Sequence, residues 1–425
     1  MGFLILIFIL GYAAIAFEHT IRVNKAATAL ITGVLCWTVY IFLSNSKEQV
    51  TEQLTTHVGE MSQILFFLLG AMTIVELIDV HDGFEIITQR VKTINKKKLL
   101  WIIGLLSFFL SAILDNLTTT IVMISLIRKL MADHKDRMMM AGLVVVSANA
   151  GGAWSPIGDV TTTMLWIGGQ ITASNIIVKL ILPSIACLLV PLLVMGIWVK
   201  GDFKKMEVVS EDTDTKPTTA LQRNTVFLAG VSVLLCVPVF KTITHLPPFM
   251  GMLIGLGIMW LVSEIIHSDK DEQERKHYTV SHALRKIDTP SILFFLGILL
   301  AVAALESTGQ LLKTASWLDS RLGNLNAIAI AMGLLSSIVD NVPLVAACMG
   351  MYDLKQFPTD HYFWEFLAYS TGTGGSALII GSAAGVAAMG LERINFIWYL
   401  KRISWIALIG FFAGAVVYIL QEKIF

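Results

Sequence analysis

Residues 105–123 read LLSFFLSAILDNLTTTIVM, and residues 332–349 read MGLLSSIVDNVPLVAACM. Each is an apolar stretch interrupted at its centre by an Asp-Asn pair, Asp115-Asn116 and Asp340-Asn341. The full segments, 99–131 and 323–354, are two arms of about 15 residues around that polar centre. A membrane-crossing helix needs about 20 apolar residues. Such arms are short for two crossings and suit a hairpin that dips to mid-membrane and returns.

Outward from the hairpins, eight stretches are long and apolar enough to span: 2–17, 26–43, 61–78, 174–199, 225–241, 247–266, 290–306 and 396–420. The first lacks a positive leading segment and reads as an uncleaved span. Two more, 138–170 and 360–391, are interrupted at SANAGGAWSPIGD and STGTGGSALIIGS. Paired glycines, with Pro156 close behind the first pair, predict broken spans. Their unwound backbone is expected at Ala150, Gly151 and Gly152 and at Gly372, Gly374 and Gly375. The expected fold is all-α and polytopic, with about ten spanning helices plus two re-entrant hairpins.

Composition agrees. The chain is 55% hydrophobic and 15% charged, whereas soluble domains are about a quarter charged. Its formal net charge is zero, so nothing points to a nucleic-acid partner, and the lipid bilayer is the expected environment. The four cysteines lie in apolar runs without metal-ligand spacing, and no Gly-rich phosphate loop appears. No cofactor is implied; ion gradients would drive any transport.

The distribution of charge sets the threading. With both hairpins re-entrant, one face receives 18–25, 79–98, 128–137, 200–224, 267–288 and 392–402, which hold 24 of the 31 Lys and Arg. That bias predicts this face to be cytoplasmic and both termini external, in a bacterial inner membrane. The polar stretch 200–224, with Pro217, reads as a linker.

The two halves also repeat. ILFFLLGAMTIVE (64–76) resembles ILFFLGILLAVAALE (292–306), the hairpin words match each other, and AGGAWSPIGD (150–159) resembles TGGSALIIGS (373–382). In this threading 61–78 runs inward and 290–306 outward, so the repeat is inverted. The expected organisation is scaffold spans in 1–60, a first repeat in 61–199, the cytoplasmic linker 200–224, scaffold spans and a loop in 225–289, and a second repeat in 290–425. Inverted repeats with discontinuous helices describe secondary transporters that bind their cargo at the repeat interface.

An Asp at mid-membrane costs about 2.5–3.5 kcal/mol even on lenient scales, so its default reading is functional. Asp115, Asn116, Asp340 and Asn341 offer carboxylate and amide oxygens, a donor set for a hard cation such as sodium. Asp159 breaks the repeat, because its counterpart is Ser382. It adds a carboxylate suited to a proton, and it also stands where it would cap the helix that follows. Thr118, Thr162, Ser147, Asn149, Ser155, Thr371 and Thr373 are candidate hydroxyl and amide ligands or helix-to-helix glue. Glu76 and Glu306 close matched spans near opposite faces and are candidate proton-path groups. Glu18, Glu264 and Glu365 read as boundary charges, and His57, His81 and His134 as loop residues.

On the words DNLTTTIVM, SANAGGAWSPIGDVTTTMLW, DNVPLV and STGTGGSALIIGS, nearly the whole chain resembles the NhaD family of sodium/proton antiporters. That family sits in the ion transporter superfamily with dicarboxylate/sodium symporters and arsenite permeases. The resemblance implies a scaffold plus a mobile transport domain, a homodimer and an elevator-like motion. It implies exchange of cytoplasmic sodium or lithium for external protons, and no enzymatic activity. In the symporters the hairpin tips read Ser-Asn-Thr and hold sodium and a substrate carboxylate. Carboxylates at Asp115 and Asp340 would repel an anion, which disfavours the alternative, a sodium-coupled dicarboxylate or arsenite carrier on the same fold. An intramembrane aspartyl protease wants Gly-x-Gly-Asp, and Pro156 stands at the first Gly before Asp159.

Overall fold

The computed structural model describes residues 2–16, 21, 23–88, 91, 93–203, 218–271, 275–338 and 340–424. Glu18 and residues 204–217 of the expected linker, Pro217 included, lie outside them. The described residues are helical with short connections: α1 Gly2–Ala16, α2 Lys25–Leu43, α3 Lys47–Val80, α4 Lys96–Leu114, α5 Asn116–Leu130, α6 His134–Ala153, α7 Val160–Ile167 and α8 Ala173–Trp198. After the linker come α9 Ala220–Thr244, α10 Pro248–Ile266, α11 Thr289–Ser307, α12 Gln310–Leu322, α13 Leu325–Leu335, α14 Asn341–Met351, α15 Tyr362–Gly374, α16 Ala383–Glu392 and α17 Phe396–Ile424. Eight of these helices are long and apolar enough to cross a bilayer. The chain is a multi-pass membrane protein.

The core lies where both interrupted segments meet. Every residue from Met140 to Ala153 of α6 and from Phe363 to Gly374 of α15 is buried. A helix apolar on all sides is stable only when other helices surround it, and the hairpins do so: α4 and α5 pack on α6, and α13 packs on α15. By contrast α9 and α10 expose Leu228, Leu235, Ile254, Ile258 and Leu261, an apolar outer face at home in lipid.

The hairpin geometry follows from polar contacts at the ends. Lys96, at the start of α4, pairs with Asp136, in the first turn of α6, at 2.6 Å, so the two ends of the α4–α5 pair lie together. Asp133 caps α6; hydrogen bonds from the backbone N–H groups of Asp136 and Lys135 hold its carboxyl below the usual range. Buried Glu392 at the end of α16 accepts from Arg128 of α5 at 2.6 Å and from Arg137 of α6 at 3.1 Å. A buried carboxylate persists only with such partners, and this one ties the first hairpin to the second half.

Two helix pairs join the halves. α2 packs most extensively on α11, and α10 packs on α3. Each pairs a span preceding one half's motifs with the ILFF-bearing span of the other.

Three expectations need correction. The first interruption does not lie at its glycine pair: α6 runs through Gly151 and Gly152, and the helix breaks over 154–159; α15 ends at Gly374 and Gly375 opens a 3-10 turn, so the second does begin at the expected pair, with the next α-helix starting at Ala383. The glycines also serve close approach. A Cβ on Gly151 would stand 2.1 Å from the Phe108 carbonyl oxygen, and one on Gly374 2.0 Å from that of Gly333. Glu365 is not a boundary charge; it is buried and accepts from the Tyr418 hydroxyl at 2.8 Å and from Asn175. Nor are the histidines simple loop residues. His57 is within α3, and buried His81 stacks on His267, with burial pushing both imidazoles below the ordinary range, His267 to about 4.

Candidate ion-binding site

Asp115 occupies the joint between α4 and α5 at φ 96°, outside the usual range for a residue with a side chain. Such backbone costs about 1–3 kcal/mol and persists only where its surroundings enforce it. Its carboxylate accepts from the Thr118 backbone N–H at 2.7 Å and from the Thr118 hydroxyl at 2.9 Å. Asp340 caps α14 through the Val342 N–H at 3.2 Å. Short polar side chains at N-caps satisfy the orphan donors of the first turn, so both tips are locally sensible sequences. The capping role that Asp-Asn suggests is therefore real at both.

The centre of the arrangement is Asp159. It is 1% exposed, caps α7 through the Thr161 N–H at 2.8 Å, and takes the Thr161 hydroxyl at 2.6 Å. It also collects both hairpin tips: the Asn116 amide donates to it at 2.9 Å and the Asn341 amide at 3.5 Å. Asn149 of α6 accepts from Asn116 at 3.0 Å and donates to Ser376 and Ser382 of the other interrupted segment, each at 2.9 Å. One continuous polar network thus joins both hairpins and both interrupted segments.

A cavity of about 70 Å³ opens beside it, lined by Asp115, Asn116, Thr118, Asp159, Asp340 and Asn341. One water-sized probe needs about 10–15 Å³, so the space suits a small cation with a few waters. Its other wall is largely apolar: Phe67, Leu68 and Met72 of α3, Leu234 of α9, Met252 of α10 and Phe295 of α11, with Lys25 of α2 and Ser291 of α11 beside them.

Several candidates stand elsewhere. The hydroxyls of Ser155, Thr162, Thr371 and Thr373 donate to the carbonyls of Ala112, Ala153, Leu367 and Tyr369, and none lines the cavity; they are glue. Ser147 is buried away from it. Of the backbone candidates, Gly152 and Gly372 lie beside Asp159, whose Cβ and Oδ2 would be 3.2 and 3.6 Å from an added Cβ; Ala150, Gly151, Gly152, Gly372, Gly374 and Gly375 do not line the cavity. Glu76 pairs with Lys286 at 3.6 Å, and Glu306 borders a separate cavity of about 400 Å³ with His57 and Glu60.

The citrate transporter family profile, CitMHS, matches residues 12–374. Sodium/proton antiporter 1 of Arabidopsis thaliana is 48% identical, over 97% of this chain and 71% of its own length. Antiporter NhaD of Alkalimonas amylolytica is 30% identical over 99% of this chain and 90% of its own length. The chain belongs to the NhaD family of sodium/proton antiporters. It is thus a member of a transporter family, not an enzyme, within the ion transporter superfamily. The fold of this NhaD-family chain matches the crystal structure of the Alcanivorax borkumensis YdaH transporter at a TM-score of 0.62, with 9% identity, covering 95% of this chain and 99% of that one.

Three residues of the NhaD-family site escape a reading by sequence. Lys25 lines the cavity and reaches Asp340, yet at the edge of a span it reads only as a topology charge. Ser376 and Ser382 hold Asn149. The one available signal was the repeat itself, which sets Ser382 opposite Asp159.

Proposed function

We propose that the protein exchanges cytoplasmic sodium or lithium for external protons, with the shared cavity of Asp115, Asp159 and Asp340 as the site of exchange. The observation that carries this is the convergence of both tip amides on one buried carboxylate. A carboxylate held away from water needs a neutralising cation, and sodium or a proton can serve in turn. Occupation by one excludes the other, which couples the fluxes without a separate gate. Asn116 and Asn341 hold Asp159 in register and turn oxygen toward an arriving ion. Glu76 and Glu306 would carry protons toward the two faces.

The threading belongs to the same reading: about ten spans and two re-entrant hairpins as an inverted repeat, with the Lys/Arg-rich face cytoplasmic in a bacterial inner membrane. The hairpins and interrupted segments form the transport part, and α1–α3 with α9–α11 the scaffold. By family resemblance the unit is a homodimer working by an elevator-like motion.

The test is sodium half-saturation in proteoliposomes from acidic to alkaline pH. Competition by one proton improves apparent sodium affinity about tenfold per pH unit until the site is deprotonated, then levels off. A flat profile, or sodium-driven uptake of citrate or succinate, overturns exchange in favour of symport.

A further inference from the structure

The first residue of α2 carries a charge that its position does not explain. A cation at a helix N-terminus opposes the helix dipole, an effect of about 0.3–1 kcal/mol. A lysine at a membrane boundary ordinarily extends its ammonium toward the headgroups. Lys25 does neither of the expected things. Its Nζ stands 3.4 Å from the Asp340 carboxylate and 4.4 Å from the centre of the Phe294 ring, inside the wall of the cavity that Asp115 and Asp159 share. Neither partner is fully wet: the Lys25 and Asp340 side chains are 25% and 19% exposed.

We propose that Lys25 is the resident cation of the cavity, neutralising Asp340 whenever no transported cation does. The proposal rests on the exchange reading above. Lys25 is the basic residue among those lining the cavity, against three carboxylates. With Asp340 neutralised from within, Asp115 and Asp159 are left to transported ions. The pair is also loose. Tight charge-assisted contacts run about 2.7–2.9 Å, so 3.4 Å marks an ammonium that an incoming cation can displace. Displacement has a mechanical meaning. Lys25 and Phe294 belong to the crossing helices α2 and α11, whereas Asp340 belongs to the hairpin α13–α14. The ion pair bridges scaffold and transport part, and sodium at Asp340 takes the hairpin's anchor away. Lys25 therefore sets both the sodium affinity and the readiness of the hairpin to leave the scaffold.

The experiment compares wild type, Lys25→Gln and Lys25→Arg in proteoliposomes at alkaline pH, with equilibrium ²²Na⁺ binding to purified protein beside it. In Lys25→Gln, sodium no longer competes with an internal cation, so half-saturation and the binding midpoint both fall at least severalfold. Lys25→Arg restores values near wild type, and in an Asp340→Asn background Lys25→Gln changes the binding midpoint little. A merely structural lysine gives less folded protein and slower exchange with unchanged midpoints, and that result overturns the proposal. Should Lys25→Gln fail to fold, Lys25→Met, which keeps the apolar stem, decides: the binding midpoint falls if the ammonium competes and stays in place if it does not. Wild type showing no sodium-dependent proton signal sinks exchange itself, whereas normal wild-type exchange with unmoved variants sinks only the role of Lys25.

Discussion

Asp115, Asp159 and Asp340 face one small cavity but are held differently. Asp115 is held by Thr118 and the Leu117 backbone, Asp159 by Thr161 and both tip asparagines, and Asp340 by Val342 and Lys25. Substituting Asn for each keeps shape and removes charge. Asp115→Asn, Asp159→Asn and Asp340→Asn should each abolish exchange while amounts of folded protein, read by fluorescence-detected gel filtration, stay near wild type. Glu264→Gln should be nearly silent, because Glu264 is half exposed at a helix end and meets Arg275 only at 3.7 Å. Full activity with unchanged sodium dependence in Asp115→Asn would remove the first tip from the site. At this scale the carboxylates were legible in the sequence, because an ionised side chain inside an apolar run has few bland explanations. Lys25 was not legible. A basic residue at the end of a span is what topology alone requires, and only the fold brings it to Asp340, 315 positions away.

Among elements, the helix breaks at Asp115 and Asp340 were legible because an Asp-Asn pair in an apolar run both caps a helix and breaks it. The breaks in α6–α7 and α15–α16 were foreseen, but the first lies beyond its glycine pair. Glycine pairs weaken a helix only modestly, and here the surrounding helices override that weakness. What the glycines provide is contact with a neighbouring carbonyl, at Phe108 in one half and Gly333 in the other. Small residues at such crossings are how membrane helices gain packing without a hydrophobic driving force. A methyl at Gly374 meets backbone, which cannot swing aside. Overpacking of that kind costs about 1–3 kcal/mol, so Gly374→Ala should lower the melting temperature in detergent and slow exchange together. Gly257→Ala is the control, since nothing lies within 4 Å of its added Cβ and alanine is the better helix former. Equal melting temperatures for the two variants would show that the crossing tolerates separation.

For the molecule as a whole, threading is the quantity most open to direct attack. Lys96 and Asp136 meet at 2.6 Å, so Lys97 and Lys135 belong on one face, the proposed cytoplasmic one. Single cysteines at these two positions, in a background lacking Cys36, Cys187, Cys236 and Cys348, should be labelled by an impermeant maleimide from the same side, and one at Lys47 from the other. Opposite labelling of Lys97→Cys and Lys135→Cys would mean that 99–131 crosses, and the inverted repeat would fall. Charge bias is the basis of the proposed sidedness, which the labelling decides. The crossing of α2 onto α11 and of α10 onto α3 was not readable, since it depends on which apolar faces meet, and lipid-facing and helix-facing apolar residues look alike in a sequence.

One substitution within the repeat bears on how the whole protein runs. Where the first half has Asp159, the second has Ser382, and both reach the same network through Asn116 and Asn149. Two identical halves would give mirror-related end states of equal energy and an exchanger that ran equally well in either orientation. In the proposed inverted repeat, an anionic group in one half and a neutral hydroxyl at the matching place of the other removes that equality. The two end states must then differ in free energy, and the cycle in the proportion of its time spent facing each way. Detailed balance forbids this from altering the gradient ratio at which net flow stops, but it allows the forward and reverse rates at equal displacement from that ratio to differ. In the exchange cycle proposed above, the mismatch of Asp159 and Ser382 leaves room for unequal forward and reverse rates.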